Sequence, residues 1–178
     1  LGDYAQTEKR VRNARHAYYG MISYIDDKVG QLLQVLDSTG LRDNTIIVFI
    51  SDHGEMLGER GLWYKMSFFE WSARVPLVFH APGRFAPRRV NQSVSLVDLL
   101  PTLTAIALNG KSPTATDTLD GHSLLPLLEG RDAENSATVY GEMLGEGAVA
   151  PLLMIRRGNY KYIYSQPDPE QLFDLKND

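Results

Sequence analysis

Apolar residues recur every three or four positions between Glu8 and Leu36, and this spacing predicts one long amphipathic helix. We expect one stripe of that helix to face a core, and Gly40 to stop it. Two apolar runs follow, Thr45–Ile50 and Val75–Phe79. Because these runs do not alternate with polar residues, they predict strands of a parallel or mixed α/β sheet that is covered on both faces.

The pattern changes in the second half of the chain. A helix is expected to run to about Leu108, capped by Ser95 or Asp98. After about Ala137, four short apolar stretches predict the strands of a smaller antiparallel layer: Val139–Met143, Leu152–Arg156, Tyr160–Tyr164 and Leu172–Leu175. Residues 157–159, Arg-Gly-Asn, are typical of a hairpin turn. We therefore predict an α/β fold in two parts, residues 1–136 and 137–178.

Composition narrows the function classes. The 178 residues carry 18 Lys plus Arg and 22 Asp plus Glu, a net charge of -4, which argues against nucleic-acid binding. The absence of cysteine excludes disulfides, thiolate metal sites and a cysteine nucleophile in these residues. No apolar run approaches the roughly 20 residues that span a bilayer, so we expect no membrane partner. The chain begins at Leu1 rather than Met and has no signal-peptide pattern, so we interpret it as a piece of a longer protein whose targeting segment lies outside these residues. We expect that protein to be cytoplasmic.

The first candidate site is Ser51-Asp-His-Gly-Glu55, which directly follows the first apolar strand. Ligands of open α/β sheets bind outside the carboxyl ends of strands, where Asp52 and His53 would lie. A carboxylate beside an imidazole is a sensible partial ligand set for a divalent metal. The alternative is a structural turn in which the His53 ring bonds to a backbone carbonyl.

A glycine-broken loop follows and carries Trp63, Tyr64 and Lys65. Lys65 lies 13 positions after Asp52, between the two strands, so it is able to return to the same crevice. A fixed ammonium there would hold an anionic ester. The alternative for Lys65 is a solvated loop charge.

In these motifs the chain resembles the sulfatases, a family within the alkaline-phosphatase superfamily. The matching stretches, in the family's order, are Tyr24–Gly30, Ser51–Glu55, Lys65, Arg74–Leu77, Val97–Thr102 and Asp120–Leu124. Gly58–Glu70 and Gly145–Pro151 are most similar to the choline sulfatases within the family. The resemblance implies an alkaline-phosphatase-like mixed sheet flanked by helices over residues 1–136, followed by the start of a small antiparallel C-terminal subdomain.

The resemblance also implies roles for single residues. Asp52 matches a ligand of the active-site divalent cation, usually calcium (Ca²⁺). His53 fills the adjacent ligand position, where many sulfatases have Asn, and an imidazole also suits manganese (Mn²⁺), with magnesium (Mg²⁺) a further alternative. Lys65 matches the catalytic lysine that binds the oxygens of the transferred sulfuryl group.

The family's nucleophile is a formylglycine made within a Cys/Ser-x-Pro-x-Arg motif, and these residues contain no such motif. We therefore expect the formylglycine and two further metal-binding aspartates upstream of this chain. The isolated chain is expected to be inactive. An exposed apolar face, where absent strands would pack, predicts self-association into a homo-oligomer.

The expected substrate is a small sulfate ester, in particular choline sulfate. Quaternary ammonium groups are recognised by aromatic faces together with a carboxylate. Trp63, Tyr64 and Glu146 are the local candidates, and Glu142 is a less favoured substitute. Loop packing is the alternative role for the two aromatic residues, and a solvated charge is the alternative for Glu146. A phosphonate or phosphate monoester hydrolase, and a non-catalytic fragment, are the competing functions.

Overall fold

A computed structural model of the chain describes residues 7–110, 119–131, 138–145 and 149–178. The chain divides into two compact units, Leu1–Ala81 and Pro82–Asp178. The domain boundary that the sequence predicts near residue 137 stays a prediction. In the part of the chain that the structure describes, no helix combines the length and apolarity needed to cross a membrane.

The first unit is built on a long helix, α1, which spans Glu8–Ser38. It begins where the Thr7 side chain accepts a hydrogen bond from the Arg10 backbone, and Gly40 follows it with a positive φ of 69°, as a helix stop requires. The helix is therefore confirmed, and it ends two residues later than predicted. No residue of α1 is buried. The expected packing of its apolar stripe against a core is not seen among the described residues.

Two short strands and a one-turn helix complete the first unit: β1 at Ile47–Ile50, α2 at Glu70–Ala73 and β2 at Leu77–His80. β1 and β2 pair antiparallel, with Ile50 opposite Leu77. Phe49 is 45% exposed and Val78 is 52% exposed. Both strands are confirmed, but one face of each is open in the described structure. A continuous apolar run reports hydrophobicity on both faces and does not determine what covers them.

The second unit contains two short helices and a four-stranded antiparallel sheet. The helices are α3 at Leu99–Ala107 and α4 at Leu125–Leu128. The strands pair in sequence order and are β3 at Thr138–Met143, β4 at Leu152–Arg157, β5 at Tyr160–Ser165 and β6 at Gln171–Asp174. The turn between β4 and β5 contains Gly158 at a φ of 59°, which confirms the predicted hairpin.

Two of the family-like motifs bind each other within the second unit. The buried Asp98 carboxylate accepts the backbone N–H of Ser95 at 2.8 Å and that of His122 at 2.9 Å. The hydroxyl of Thr102, which is fully buried, donates to the Asp98 carbonyl at 2.5 Å and accepts the Leu124 N–H at 2.8 Å. Buried polar groups are stable only when they are hydrogen-bonded in this way. These motifs therefore hold the fold of the second unit.

Candidate active site

The acid–imidazole pair lies just after β1, where the chain leaves the strand. The Asp52 side chain is 84% exposed, and its Oδ1 accepts the His53 backbone N–H at 2.9 Å. The ring Nδ1 of His53 lies 2.8 Å from the carbonyl oxygen of Gly54. Because a carbonyl only accepts, neutral His53 donates from Nδ1 and keeps a lone pair on Nε2. His53 can therefore bond to a backbone carbonyl through one ring nitrogen, as in a structural turn, and still offer the other nitrogen to a metal.

The free ring nitrogen of this tautomer is close to the carboxylate. His53 Nε2 lies 3.5 Å from Asp52 Oδ2. Two donors that share a cation at right angles, each at about 2.4 Å, are about 3.4 Å apart. Asp52 and His53 therefore fit as two adjacent ligands of one divalent cation. Over the described ranges, no group of three or more His, Cys, Asp or Glu residues could hold a metal, so a cation at this pair would need ligands from outside these residues.

The Asp52 carboxyl is held in its ionised form. The hydrogen bond from the His53 backbone N–H lowers the pKa of Asp52, and partial desolvation opposes it. The positive charge of a protonated His53 ring and that of the Lys65 ammonium lower this pKa further. Lys65 is therefore close enough to Asp52 for its charge to influence the carboxyl. Asp52 and His53 lie side by side, and the convergence of Lys65 with this pair stays a prediction.

The turn that carries this pair is fastened to α2 through main-chain hydrogen bonds. The Gly54 N–H donates to the Ser72 carbonyl at 2.7 Å, and the Glu55 N–H donates to the Trp71 carbonyl at 2.9 Å. A Cβ at position 54 would lie 2.0 Å from the Trp71 oxygen. Only glycine allows the two backbones to approach this closely. The motif's glycine is thus what positions the two preceding side chains.

The loop before Lys65 is closed by a carboxylate inside it. Glu55 Oε1 accepts the Tyr64 N–H at 2.6 Å and the Leu57 N–H at 3.2 Å. The buried Met56 donates its N–H to the Tyr64 carbonyl at 2.9 Å. These bonds hold Tyr64 at a φ of 65°, a left-handed conformation that is unfavourable for a residue with a side chain. Glu55 was not singled out by its sequence context, although it ends the Ser51–Glu55 motif.

Lys65 itself is anchored by its backbone. Its carbonyl accepts the Ser72 hydroxyl at 2.5 Å and the Ser67 N–H at 2.7 Å. Ser72 is only 2% exposed. The sequence analysis missed Ser72, because a serine in a Trp-Ser-Ala context carries no local signal of a tertiary role.

Helix α1 holds the outer edge of the same loop. Arg15 donates from Nε to the Leu57 carbonyl at 2.9 Å and from a terminal nitrogen to the Glu59 carboxylate at 2.6 Å. Gly58, at a φ of 84°, faces Val11 so closely that a Cβ there would lie 3.0 Å from a Val11 methyl carbon. The loop is thus fixed from both ends.

The residues predicted to bind the choline headgroup are only partly described. Trp63 is half-buried, Tyr64 is exposed, and Glu146 lies outside the described residues. In the second unit, Tyr140, Tyr162, Tyr164 and Glu142 help to line a pocket of about 290 Å³ on one face of the sheet. The less favoured carboxylate, Glu142, therefore has the aromatic neighbours that recognition of an ammonium group requires.

Comparison with known proteins identifies the family. The sulfatase family model matches residues 2–109, and the model of the N-sulphoglucosamine sulphohydrolase C-terminal region matches residues 58–178. The chain belongs to the sulfatase family. The sulfatase-like motifs of the sequence are thereby confirmed as family features.

Individual relatives agree with this assignment. Choline-sulfatase of Rhizobium meliloti (strain 1021) is 48% identical over 172 residues, which cover 97% of this chain and 33% of the relative. Arylsulfatase K of Rattus norvegicus is 39% identical over 185 residues, which cover 97% of this chain and 32% of the relative. The phosphonate monoester hydrolase of Agrobacterium radiobacter superposes with a TM-score of 0.85 at 34% identity. The superposition covers 99% of this chain and 38% of the hydrolase.

Two consequences follow for this sulfatase chain. Its fold is alkaline-phosphatase-like and includes a C-terminal antiparallel sheet, as the sequence predicts. The chain also spans about a third of the length of the curated relatives it matches. The substrates of these relatives are therefore assigned to this chain only as a proposal.

Proposed function

We propose that this chain is the C-terminal part of a sulfuric ester hydrolase that cleaves choline sulfate into choline and sulfate. The observation that carries the proposal is the adjacency of Asp52 and His53 at the end of β1, with the Lys65 charge acting on the Asp52 carboxyl, in a chain of the sulfatase family. Similarity to a choline-sulfatase at 48% identity supports the choice of substrate. The nucleophile, a formylglycine, belongs to the part of the enzyme outside this chain.

The three residues have separate roles in this proposal. The Lys65 ammonium binds the sulfuryl oxygens and offsets the negative charge that they carry in the transition state. Asp52 Oδ2 and His53 Nε2 hold a divalent cation, for which calcium is the first choice and manganese or magnesium the alternatives. When bound, that cation supplies Lewis-acid stabilisation of the sulfate oxygens. The His53 ring keeps its ligand atom available because Nδ1 is committed to the Gly54 carbonyl.

The choline end of the substrate requires an aromatic and anionic environment. We propose Trp63, Tyr64 and Glu146 for this role, with Glu142 as the competing carboxylate because three tyrosines share its pocket. A choline titration followed by tryptophan fluorescence, repeated with Glu146→Gln and with Glu142→Gln, separates the two carboxylates. If neither substitution weakens choline binding, the assignment of both is wrong.

A second function is favoured by the fold comparison. The Agrobacterium radiobacter phosphonate monoester hydrolase is similar over 99% of this chain, and the Asp52, His53 and Lys65 arrangement suits a phosphonate ester equally well. A sulfate monoester and a phosphonate monoester both present anionic tetrahedral oxygens to the lysine and the cation. Only direct comparison of substrates on the full-length enzyme distinguishes the two activities.

The deciding experiment measures kcat/KM of the full-length protein for choline sulfate, an aryl sulfate and a phosphonate monoester. We expect choline sulfate to be preferred, and Lys65→Ala to lower kcat/KM about 10²–10³-fold by removing a preorganised positive charge. Lys176→Ala, which removes an ammonium from the turn after β6, is the matched control and is expected to be silent. A preference for the phosphonate would replace the proposed substrate. Turnover by the isolated 178-residue chain above the Lys65→Ala level would contradict the need for an upstream nucleophile.

A further inference from the structure

Ser72 bridges the two segments of the proposed site. From its buried position in α2, its hydroxyl donates to the Lys65 carbonyl at 2.5 Å, and its backbone carbonyl accepts the Gly54 N–H at 2.7 Å. One residue therefore holds both the turn that carries the metal-ligand pair and the backbone of the sulfuryl-binding lysine. Resting on the proposed function, we propose that Ser72 is a positioning residue that sets the place of the Lys65 ammonium relative to Asp52 and His53.

Burial makes this bridge effective. Ser72 is 2% exposed, so solvent does not compete for its hydroxyl, and a hydrogen bond removed there is not readily replaced by water. Lys65 follows Tyr64, whose left-handed backbone is under strain. A strained segment keeps its conformation only where neighbouring contacts over-determine it, and Ser72 supplies such a contact one residue later.

The two hydrogen bonds of Ser72 are separable by substitution. Ser72→Ala removes the hydroxyl bond to Lys65 and leaves the main-chain bond to Gly54 in place. The variant should therefore disturb the lysine while the Asp52–His53 pair keeps its position. Ser72→Cys nearly preserves the volume of the side chain but offers only a weak donor. If Ser72 acts only by packing, the cysteine variant should keep full activity. If Ser72 acts through its hydrogen bond, the cysteine variant should lose activity.

Activity of the full-length enzyme gives the first test. We expect Ser72→Ala to lower kcat/KM about tenfold, the factor that a lost buried hydrogen bond typically represents. On a Lys65→Ala background, Ser72→Ala should change kcat/KM by less than about twofold, because two residues acting through the same ammonium are not additive. Ser72→Cys should fall between serine and alanine. An additive loss, or full activity in Ser72→Cys, would overturn the proposal.

The matched control is Ser67→Ala, in the same loop. The Ser67 hydroxyl lies 3.6 Å from the Met56 sulfur, and the Ser67 N–H that donates to Lys65 is retained in the variant. We expect its kcat/KM to stay within about twofold of wild type, which is the scatter of independent sites. A loss as large as that of Ser72→Ala would mean that any serine in this loop matters, and would overturn the specific role of Ser72.

Hydrogen exchange on the 178-residue chain gives a second test that does not depend on activity. In Ser72→Ala the Ser67 amide, which bonds to the Lys65 carbonyl, should exchange about tenfold faster, and the Gly54 amide should be unchanged. If the full-length protein hydrolyses none of the three esters, the proposed function fails. Hydrogen exchange alone then tests the positioning role of Ser72. Unchanged exchange at Ser67 would then refute the positioning role, and faster exchange at Ser67 alone would support it.

Discussion

Two turns of this chain use the same three residue types for different purposes. Residues 52–54 read Asp-His-Gly, and residues 120–122 read Asp-Gly-His. Each glycine is pressed against a backbone carbonyl, since an added Cβ would lie 2.0 Å from the Trp71 oxygen in the first turn and 2.1 Å from the Val97 oxygen in the second. The local reason for the glycine is therefore the same in both turns.

The turns differ in where their polar groups point. In the second turn, the His122 N–H is bonded to the buried Asp98, which also caps a helix. In the first turn, Asp52 is largely exposed and its Oδ2 lies 3.5 Å from His53 Nε2. Residue types alone thus do not separate a candidate site from a structural motif. The hydrogen-bond partners separate the two, because a group that is bonded within the fold is not available to a ligand.

The largest effect should separate the two aspartates by stability. Asp98→Ala leaves two backbone N–H groups without their acceptor and is expected to lower the free energy of unfolding by about 2–4 kcal/mol. Asp52→Ala, at an exposed position, should leave it nearly unchanged. Urea denaturation followed by circular dichroism measures both. Equal losses would contradict the division of roles.

The two glycines should be alike in stability and unlike in function. Gly54→Ala and Gly121→Ala each force a methyl group against a carbonyl and should cost about 1–3 kcal/mol of unfolding free energy. Only Gly54→Ala should also weaken calcium binding, because it moves the Asp52–His53 pair. Calorimetric titration of both folded variants provides the comparison. A similar fall in calcium affinity for Gly121→Ala would show that the effect is global.

A matched pair of aspartates tests the metal assignment directly. Asp52→Asn removes a ligand charge and should weaken calcium or manganese binding by the isolated chain about tenfold or more. Asp120→Asn makes the same chemical change in the other turn, at an exposed carboxylate, and should leave affinity unchanged. Wild-type affinity in Asp52→Asn would remove the first turn from the list of metal sites.

The smallest effect concerns the titration of Asp52 in the metal-free chain. The His53 N–H first, and the Lys65 ammonium among the smaller causes, lower the pKa of Asp52, so Lys65→Ala should raise that pKa toward its usual value. A carboxyl with a lowered pKa contributes stability above its unfolded pKa and loses it as the pH falls through the folded one. Carboxyl NMR titration measures the shift, and Lys176→Ala serves as the control. An unchanged Asp52 pKa in Lys65→Ala would place the lysine out of range.

Several elements of the fold were predictable because their signals are local. The spacing of apolar residues predicted α1, and Gly40 marked its end. Two short apolar stretches joined by the Arg-Gly-Asn turn predicted the β4–β5 hairpin, since short strands and a turn residue with a positive φ need no distant partner. Asp52 and His53 were singled out by their place after a strand, and their role as metal ligands stays a prediction.

Other features depend on contacts that no local pattern encodes. The antiparallel pairing of β1 and β2, the open side of Phe49 and the role of Ser72 were not predicted. The partners in these contacts lie several to some tens of residues apart along the chain. The role of the Glu146 carboxylate stays a prediction, since the described residues do not include Glu146.

By itself, the amino-acid sequence determined the helix, the six strands, the sulfatase motifs and the residue types from which a site is built. Only the tertiary structure decided that His53 Nδ1 lies at the Gly54 carbonyl, that the Asp52 carboxylate and the His53 ring are neighbours, and that the turn at residues 120–122 serves the fold. The physical reason is that periodicity and turn propensity act over a few residues, whereas hydrogen-bond partners and electrostatic range depend on distances in space.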